Sequence, residues 1–147
     1  MNVDVLTDIE IKRPRSEVAE YASNPDNATA WYENIKRVEW ISPRPLTIGS
    51  KVSFEAHFMG RKIAYTYEVR EFVPGKWLVM STEQGPFPME TSYKFSDAPG
   101  GATKMELRNR GRPSGFANVL APTMASAMRR ANRKDLTRLK SILEEGR

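Results

Sequence analysis

Cysteine is absent from the sequence, and histidine occurs only once, as His57. Without cysteine the chain cannot form a disulfide, use a thiol nucleophile or bind zinc through sulfur. A single histidine is also a poor basis for a transition-metal site. We therefore expect neither a metal nor a cofactor, and the lack of cysteine fits a reducing compartment.

Long apolar runs are also missing. No stretch reaches the roughly eighteen consecutive apolar residues of a membrane-spanning helix. Met1–Glu10 carries three acidic residues where a signal peptide needs an apolar segment. We therefore expect a cytoplasmic location and no membrane span. The chain has 147 residues, of which 39% are hydrophobic, and this is enough to build one core. We expect a single domain over residues 1–147.

The formal net charge is +5, and many of the cations crowd the C-terminal third of the chain. Arg130, Arg133, Lys134 and Arg138 fall opposite the apolar stripe of a predicted helix, as they do on a solvated helix face. No RNA-binding signature accompanies these cations. We therefore expect no specific nucleic-acid partner, and the sequence does not indicate an oligomeric state.

Short strands followed by one long helix make up the predicted secondary structure. Apolar and acidic residues alternate over Val3–Ile11, which predicts a half-buried strand. Two short helices that start with proline follow, the first over Pro14–Ala22 and the second ending near Tyr32. Six strands, separated by glycine and proline turns, are then predicted over Arg37–Ile41, Lys51–Phe58, Lys62–Phe72, Lys76–Ser81, Phe87–Phe95 and Thr103–Arg110. With a last helix over Ser114–Glu145, this order indicates an α+β fold in which an antiparallel sheet buries one face against that helix.

Several local segments carry a family resemblance: Ile9-Glu10-Ile11 with Pro14 and Val18, Asn27 to Trp31, Ile48 to Val52, Tyr67 to Pro74, and Asp135 to Lys140. With this order of elements, the chain resembles the START-like, Bet v 1-like superfamily (SRPBCC), and within it the bacterial polyketide cyclase/dehydrase-like members. The resemblance implies a helix-grip fold, in which a curved seven-stranded antiparallel sheet wraps around the long C-terminal helix. It also implies a cavity between sheet and helix for a lipid, sterol, polyketide or aromatic ligand.

Aromatic rings and methionines would line that cavity if the apolar strand faces point at the helix. The expected ligand-binding side chains are Trp31, Phe54, Phe58, Tyr65, Tyr67, Met89, Tyr93, Met105, Asn109, Phe116, Leu120, Met124 and Met128. Such a lining suits a largely apolar ligand with a few polar points. Asn109 and Asn132 take inward positions and are the expected buried polar groups. Close packing of the same side chains into a filled core is the alternative.

No catalytic residue can be assigned from the sequence. His57 would be the natural general base, but the strand alternation places it on the outer face of the sheet. The tyrosines need a partner to act as acids, because an isolated phenol titrates near pH 10. The leading hypothesis is binding or carriage of a small hydrophobic ligand that is aromatic, polyketide-like or a lipid, as in lipid transport. The alternatives are a polyketide cyclase/dehydrase-type enzyme using the same cavity, and a protein-interaction module with no small ligand.

Overall fold

The computed structural model describes residues 3–58, 60–84, 87–113 and 121–146, which form seven strands in one antiparallel sheet and three α-helices. The strands are β1 Val3–Ile11, β2 Ile35–Trp40, β3 Lys51–Phe58, β4 Arg61–Val73, β5 Trp77–Thr82, β6 Met89–Ala98 and β7 Ala102–Gly111. The helices are α1 Arg15–Ala22, α2 Ala28–Trp31 and α3 Ala121–Glu145. The order in the sheet is β1-β7-β6-β5-β4-β3-β2, so consecutive hairpins run from β2 to β7 and the first strand joins the far edge. The predicted helix-grip α+β fold is confirmed.

The predicted elements and the observed ones differ mainly at their ends. β1 and β3 have the predicted bounds, and the other strands differ from prediction by one to three residues at an end. Pro14 was predicted inside the first helix but precedes it as the N-cap, in extended conformation. The part of the last helix predicted over residues 114–120 lies outside the described residues.

Alternation of side chains decides which face of the sheet is buried. In β1, Val3 and Val5 are buried while Asp4 and Asp8 are exposed, as the period of two in a strand requires. The outer face carries cross-strand ion pairs, such as Arg108 to Asp4 at 2.6 Å. Such exposed pairs contribute little to stability. The apolar face is therefore the one that packs against α3.

The buried side chains on that face form two clusters. The larger one packs under the C-terminal half of α3 and includes Leu136, Leu139 and Leu143. The smaller one consists of Val3, Val5, Phe87, Met124 and Met128. Helix α3 thus contacts a large, continuous core along one half and a small core along the other.

The C-terminal end of α3 is held by the segment that follows β1. The last carbonyls of a helix have no partner within the helix, and the Arg13 guanidinium donates to two of them, Leu143 O and Glu144 O, each at 2.9 Å. The Lys12 backbone N–H donates to the Glu144 carboxylate at 2.7 Å. Lys140 Nζ donates to Glu10 O at 2.9 Å. These bonds fix the helix across the sheet and so set one wall of the space between them.

Candidate functional site

A cavity of about 160 Å³ lies between the inner face of the sheet and α3. Residues of both core clusters line the cavity, so the cavity lies between the two clusters. Its lining consists of Tyr32, Asn34, Ile35, Phe54, Ala56, Ile63, Tyr65, Tyr67, Met80, Thr82, Gln84, Phe87, Met89, Thr91, Tyr93, Asn109, Met124, Met128, Ala131, Asn132 and Asp135. An apolar cavity of roughly 150 Å³ is large enough to bind benzene. The space found here therefore accommodates a molecule of about one ring without rearrangement.

Eight of the residues predicted to bind a ligand line this cavity: Phe54, Tyr65, Tyr67, Met89, Tyr93, Asn109, Met124 and Met128. They come from β3, β4, β6, β7 and α3. Their inward direction follows from the strand alternation and the helix stripe. The structure thus brings together most of the predicted set on the wall of one cavity.

Trp31 and Met105 do not line the cavity. Both are fully buried in the larger core cluster. The Trp31 ring packs on Tyr32, with centroids 4.0 Å apart, and on Tyr93, at 5.8 Å. Met105 lies between Ile9 of β1 and Phe95 of β6 in the sheet register. The predicted residues Phe116 and Leu120, and the side chain of Phe58, lie outside the described residues.

Two tyrosine hydroxyls meet at one end of the cavity. Tyr32 OH and Tyr93 OH are 2.5 Å apart and share a hydrogen bond. Burial is the main reason that the pKa of each phenol is raised above its ordinary value. Both hydroxyls therefore stay protonated at neutral pH, and each finds in the other the partner that the sequence could not identify.

A second polar group of side chains crosses the sheet. Thr91 and Asn109 are directly opposite each other on β6 and β7, and Thr91 Oγ1 donates to Asn109 Oδ1 at 3.1 Å. Because this bond uses the only hydroxyl proton of Thr91, the contact between Tyr67 OH and Thr91 Oγ1, also 3.1 Å, has tyrosine as donor. Burial raises the pKa of Tyr67. Asn109 is buried, as predicted, and its carbonyl oxygen is satisfied by the protein itself.

Asp135 is one of the cavity residues that the sequence analysis did not predict as site residues, and the one that carries a charge. It is only 4% exposed, and its Oδ1 accepts a hydrogen bond from the Glu33 backbone N–H at 3.0 Å. Burial raises the pKa of this carboxyl to about 6, against the lowering effect of the Glu33 bond. On the helix it continues the stripe of Met124, Met128 and Ala131 by one further turn, although its charge makes a solvent-facing position the expectation.

Asn132 is buried, as predicted, and lines the cavity one helical turn before Asp135. Its Nδ2 is enclosed and has no hydrogen-bond partner among the residues that the structure describes. An unsatisfied buried donor of this kind costs about 1–3 kcal/mol. Most buried polar groups in proteins are paired. Asn132 thus joins Asp135, Tyr32 and Tyr93 at the polar end of the cavity, with its Nδ2 enclosed by the protein.

The polar end of the cavity adjoins a groove on the surface. Tyr32, Ile35 and Asp135 line both spaces, so they form the wall between them. Lys36, Lys134 and Arg138 lie among the other groove residues. The basic face of α3 is exposed as predicted, at Arg130, Arg133, Lys134 and Arg138.

Other candidate chemistry is not supported by the geometry. His57 is exposed on the outer face of β3, as predicted, and is directed away from the cavity. Within residues 3–58, 60–84, 87–113 and 121–146, no three acidic or histidine side chains cluster in a way that could hold a metal ion. No helix in this part of the chain is both long and apolar enough to cross a membrane.

Comparison with known proteins finds a family match and extensive structural similarity. The model of a family described as polyketide cyclase / dehydrase and lipid transport matches residues 2–144. No curated protein matches the chain. Solved structures that share its fold include the following three, all at low identity. A START superfamily protein from Mycobacterium smegmatis has a TM-score of 0.84 and 12% identity, over 98% of this chain and 99% of that one. An aromatase/cyclase from a Streptomyces species has a TM-score of 0.82 and 14% identity, over 98% of this chain and 94% of that one. A protein from Thermus thermophilus has a TM-score of 0.82 and 16% identity, over 97% of this chain and 98% of that one.

Proposed function

We propose that this protein, which belongs to the polyketide cyclase / dehydrase and lipid transport family, binds a small and largely apolar molecule in the cavity between sheet and helix. Residues 1–147 act as one domain in this proposal. The observation that carries it is a cavity between the sheet and α3 in which ten of the 21 lining residues are aromatic or methionine. A few convergent polar groups in an apolar pocket are typical of small-molecule sites.

The composition of the wall supports a ligand that fills the space without a close geometric match. Met80, Met89, Met124 and Met128 line the cavity, and methionine adapts its unbranched side chain to irregular shapes. The rings of Phe54 and Tyr67, which both line the cavity, meet edge to face at 5.9 Å, and aromatic side chains pair favourably with other rings. A one-ring or two-ring compound is therefore the natural occupant, with adjustment of the methionines for the larger size.

A fluorescence titration with 1-naphthylamine, a neutral dye of two fused rings, tests this function. We expect saturable binding with one site and a blue-shifted emission. Ala131 lines the cavity, whereas Ala127, one turn earlier and also half-buried, does not. Ala131→Phe should weaken dye binding at least about tenfold by filling the space, and Ala127→Phe should change it less than about twofold.

The two alanine variants form a matched pair because they add the same side chain to the same helix. Melting curves of both show whether each variant is folded. The proposal is contradicted if the wild-type protein takes up no dye, or if Ala127→Phe and Ala131→Phe weaken binding equally while both remain folded.

A polyketide cyclase/dehydrase-type reaction is a second candidate, favoured by the Asp135 carboxyl at the same end of the cavity as the Tyr32 and Tyr93 hydroxyls. Cyclisation of this type begins with removal of a proton next to a carbonyl.

Hydrogen–deuterium exchange at the methyl group of 2-acetonaphthone tests the same step. The Asp135 carboxylate would remove one methyl proton to give the enolate, and the enolate carbon would then take up a deuteron from solvent D₂O. We expect exchange about a hundredfold faster with protein than in buffer, measured by NMR, and loss of that gain in Asp135→Asn. Exchange no faster than in buffer would leave binding alone as the function.

A further inference from the structure

Strand β2 forms one edge of the sheet, and no strand in the described part of the chain lies beyond it. The opposite edge, β1, is covered, because it packs against α3 and its Glu10 carbonyl accepts a hydrogen bond from Lys140 Nζ at 2.9 Å. An uncovered edge presents N–H and C=O groups to which a further strand can bond. β2 is therefore the edge at which this sheet can be extended.

The backbone groups of Val38 and Trp40 point away from the sheet. Just after β2, the Ile41 N–H donates to Lys51 O of β3 at 3.0 Å. Hydrogen-bonded and non-hydrogen-bonded positions alternate along an antiparallel ladder, so the residues one and three positions earlier, Trp40 and Val38, face outward. No described residue outside the ladder bonds to the backbone of either one. Both are thus available to a strand on the open side.

The apolar cover at this edge is incomplete. Val38 and Trp40 pack against the larger core cluster, yet they are only half-buried. Ile41, the residue after the strand, is 54% exposed. A strand added at this edge would remove more of their apolar surface from water, which is favourable.

The charges on either side of Val38 complement themselves. Arg37 and Glu39 flank it on the solvent face of the strand, with exposed side chains that are only loosely paired to each other, at 3.8 Å. In an antiparallel pair of β2 strands with Val38 opposite Val38, each Arg37 lies directly opposite the Glu39 of the other copy. Opposite charges at directly opposed positions stabilise a strand pair, and like charges destabilise it. A twofold axis through Val38 thus matches both pairs at once, as an interface between identical subunits requires.

We propose that two copies of this chain associate through β2, antiparallel and centred on Val38, so that their two sheets become one. The Val38 N–H of each copy donates to the Val38 carbonyl of the other, and an Arg37–Glu39 pair forms on each side of the axis. The bulge between Ile35 and Arg37 limits the length of regular pairing. The interface is therefore small, and the dimer is weak and concentration-dependent.

A second copy fits this edge better than an unrelated strand does. The backbone hydrogen bonds are the same for any added strand, so the side chains decide which strand is preferred. Charged side chains on an edge usually keep other strands away. Here the two signs are placed so that a second β2 turns the same charges into attractions, whereas a strand without this order leaves them unpaired.

Analytical ultracentrifugation of charge-reversal variants tests the proposal. The wild-type protein should show a monomer–dimer equilibrium that shifts with concentration. Arg37→Glu and Glu39→Arg each set like charges opposite each other on both sides of the axis, so each should weaken the dimer at least about tenfold. An equal mixture of the two variants should regain the dimer, because one copy then carries two acidic side chains and the other carries two basic ones. The ion pair within one chain cannot account for this rescue, since neither variant contains it.

Lys104 and Glu106 provide matched controls. They have the same spacing on β7 and form a similar pair at 3.5 Å, but β7 lies inside the sheet between β1 and β6. Lys104→Glu and Glu106→Arg should change the dimer equilibrium less than about twofold. Melting curves show whether each variant is folded. They matter most for Arg37→Glu, because Arg37 also lies opposite Glu55 of its own chain, whereas Glu39 lies opposite Ser53.

Hydrogen exchange identifies the surface that the dimer uses. The amide protons of Val38 and Trp40 should exchange more slowly as the protein concentration rises, because the added strand covers them. A protein that stays monomeric up to about 1 mM would overturn the proposal. So would a dimer that leaves these two amides unprotected, or a variant mixture that regains no dimer while both variants remain folded. Ligand binding in the cavity does not require this dimer, so the proposed function stands or fails separately.

Discussion

Met124→Trp is expected to abolish binding of 1-naphthylamine and to cost less than about 1 kcal/mol of stability. The Met124 side chain lines the cavity, so a larger ring at this position enters space that is empty in the absence of ligand. Overpacking a filled core, by contrast, typically costs about 1–3 kcal/mol. Dye titration and thermal unfolding of the same variant measure both effects.

Met105→Trp is the matched control for that variant. Met105 is 0% exposed, belongs to the larger core cluster and does not line the cavity. The same change of side chain should here destabilise the protein by the full overpacking cost, a fall in melting temperature of about 2–4 °C for each kcal/mol. If the two variants lose equal stability, the space beside Met124 is packed in solution and the binding proposal loses its basis.

Asp135→Asn is expected to stabilise the unliganded protein at pH 8 by up to about 3 kcal/mol and to have little effect on stability at pH 4. Burial raises the pKa of Asp135 from 3.8 to about 6. A carboxyl whose pKa is higher in the folded state stabilises the fold fully below about pH 4, where it is protonated in both states, and this stability is lost as the pH rises through 6. A shift of about two pKa units corresponds to about 3 kcal/mol.

Chemical denaturation of wild type and variant between pH 4 and pH 8 measures this difference. Comparing the two proteins isolates Asp135 from the charged and titratable groups around it, which are Tyr32, Glu33, Lys36, Tyr93, Lys134 and Arg138. A difference between variant and wild type that does not change with pH would show that the carboxyl titrates normally. The asparagine keeps an acceptor for the Glu33 N–H, so loss of that bond does not confuse the result.

The fold was predictable from the sequence because strand alternation and strand order are local signals. The alternation in β3 correctly assigned Val52, Phe54 and Ala56 to the buried face and His57 to the solvent. Alternation predicts only which face of the sheet a side chain lies on. It does not predict whether that side chain packs in the core or lines the cavity below the helix. Met105 and Tyr67 are both inward, yet the first is packed in the core and the second lines the cavity.

The polar part of the site was harder to predict. An acidic residue on a basic helix is expected to face solvent, and only the docking of α3 against the α2–β2 connection buries Asp135 and gives it the Glu33 N–H as a partner. Tyr32 follows a helix of four residues and belongs to no periodic pattern. Its pairing with Tyr93 joins positions 61 residues apart, which no local reading of the sequence can provide.

The division of the core into two clusters separates folding from selectivity. Leu136, Leu139 and Leu143 hold α3 on the larger cluster, and Arg13 secures the end of that half of the helix. Met124 and Met128, at the other half, contribute to the cavity wall and to a small cluster. Mutations at these two methionines can therefore reshape the binding space while the part of the core that fixes the architecture stays intact. A protein built in this way can diverge toward new ligands by a few substitutions and keep its fold throughout.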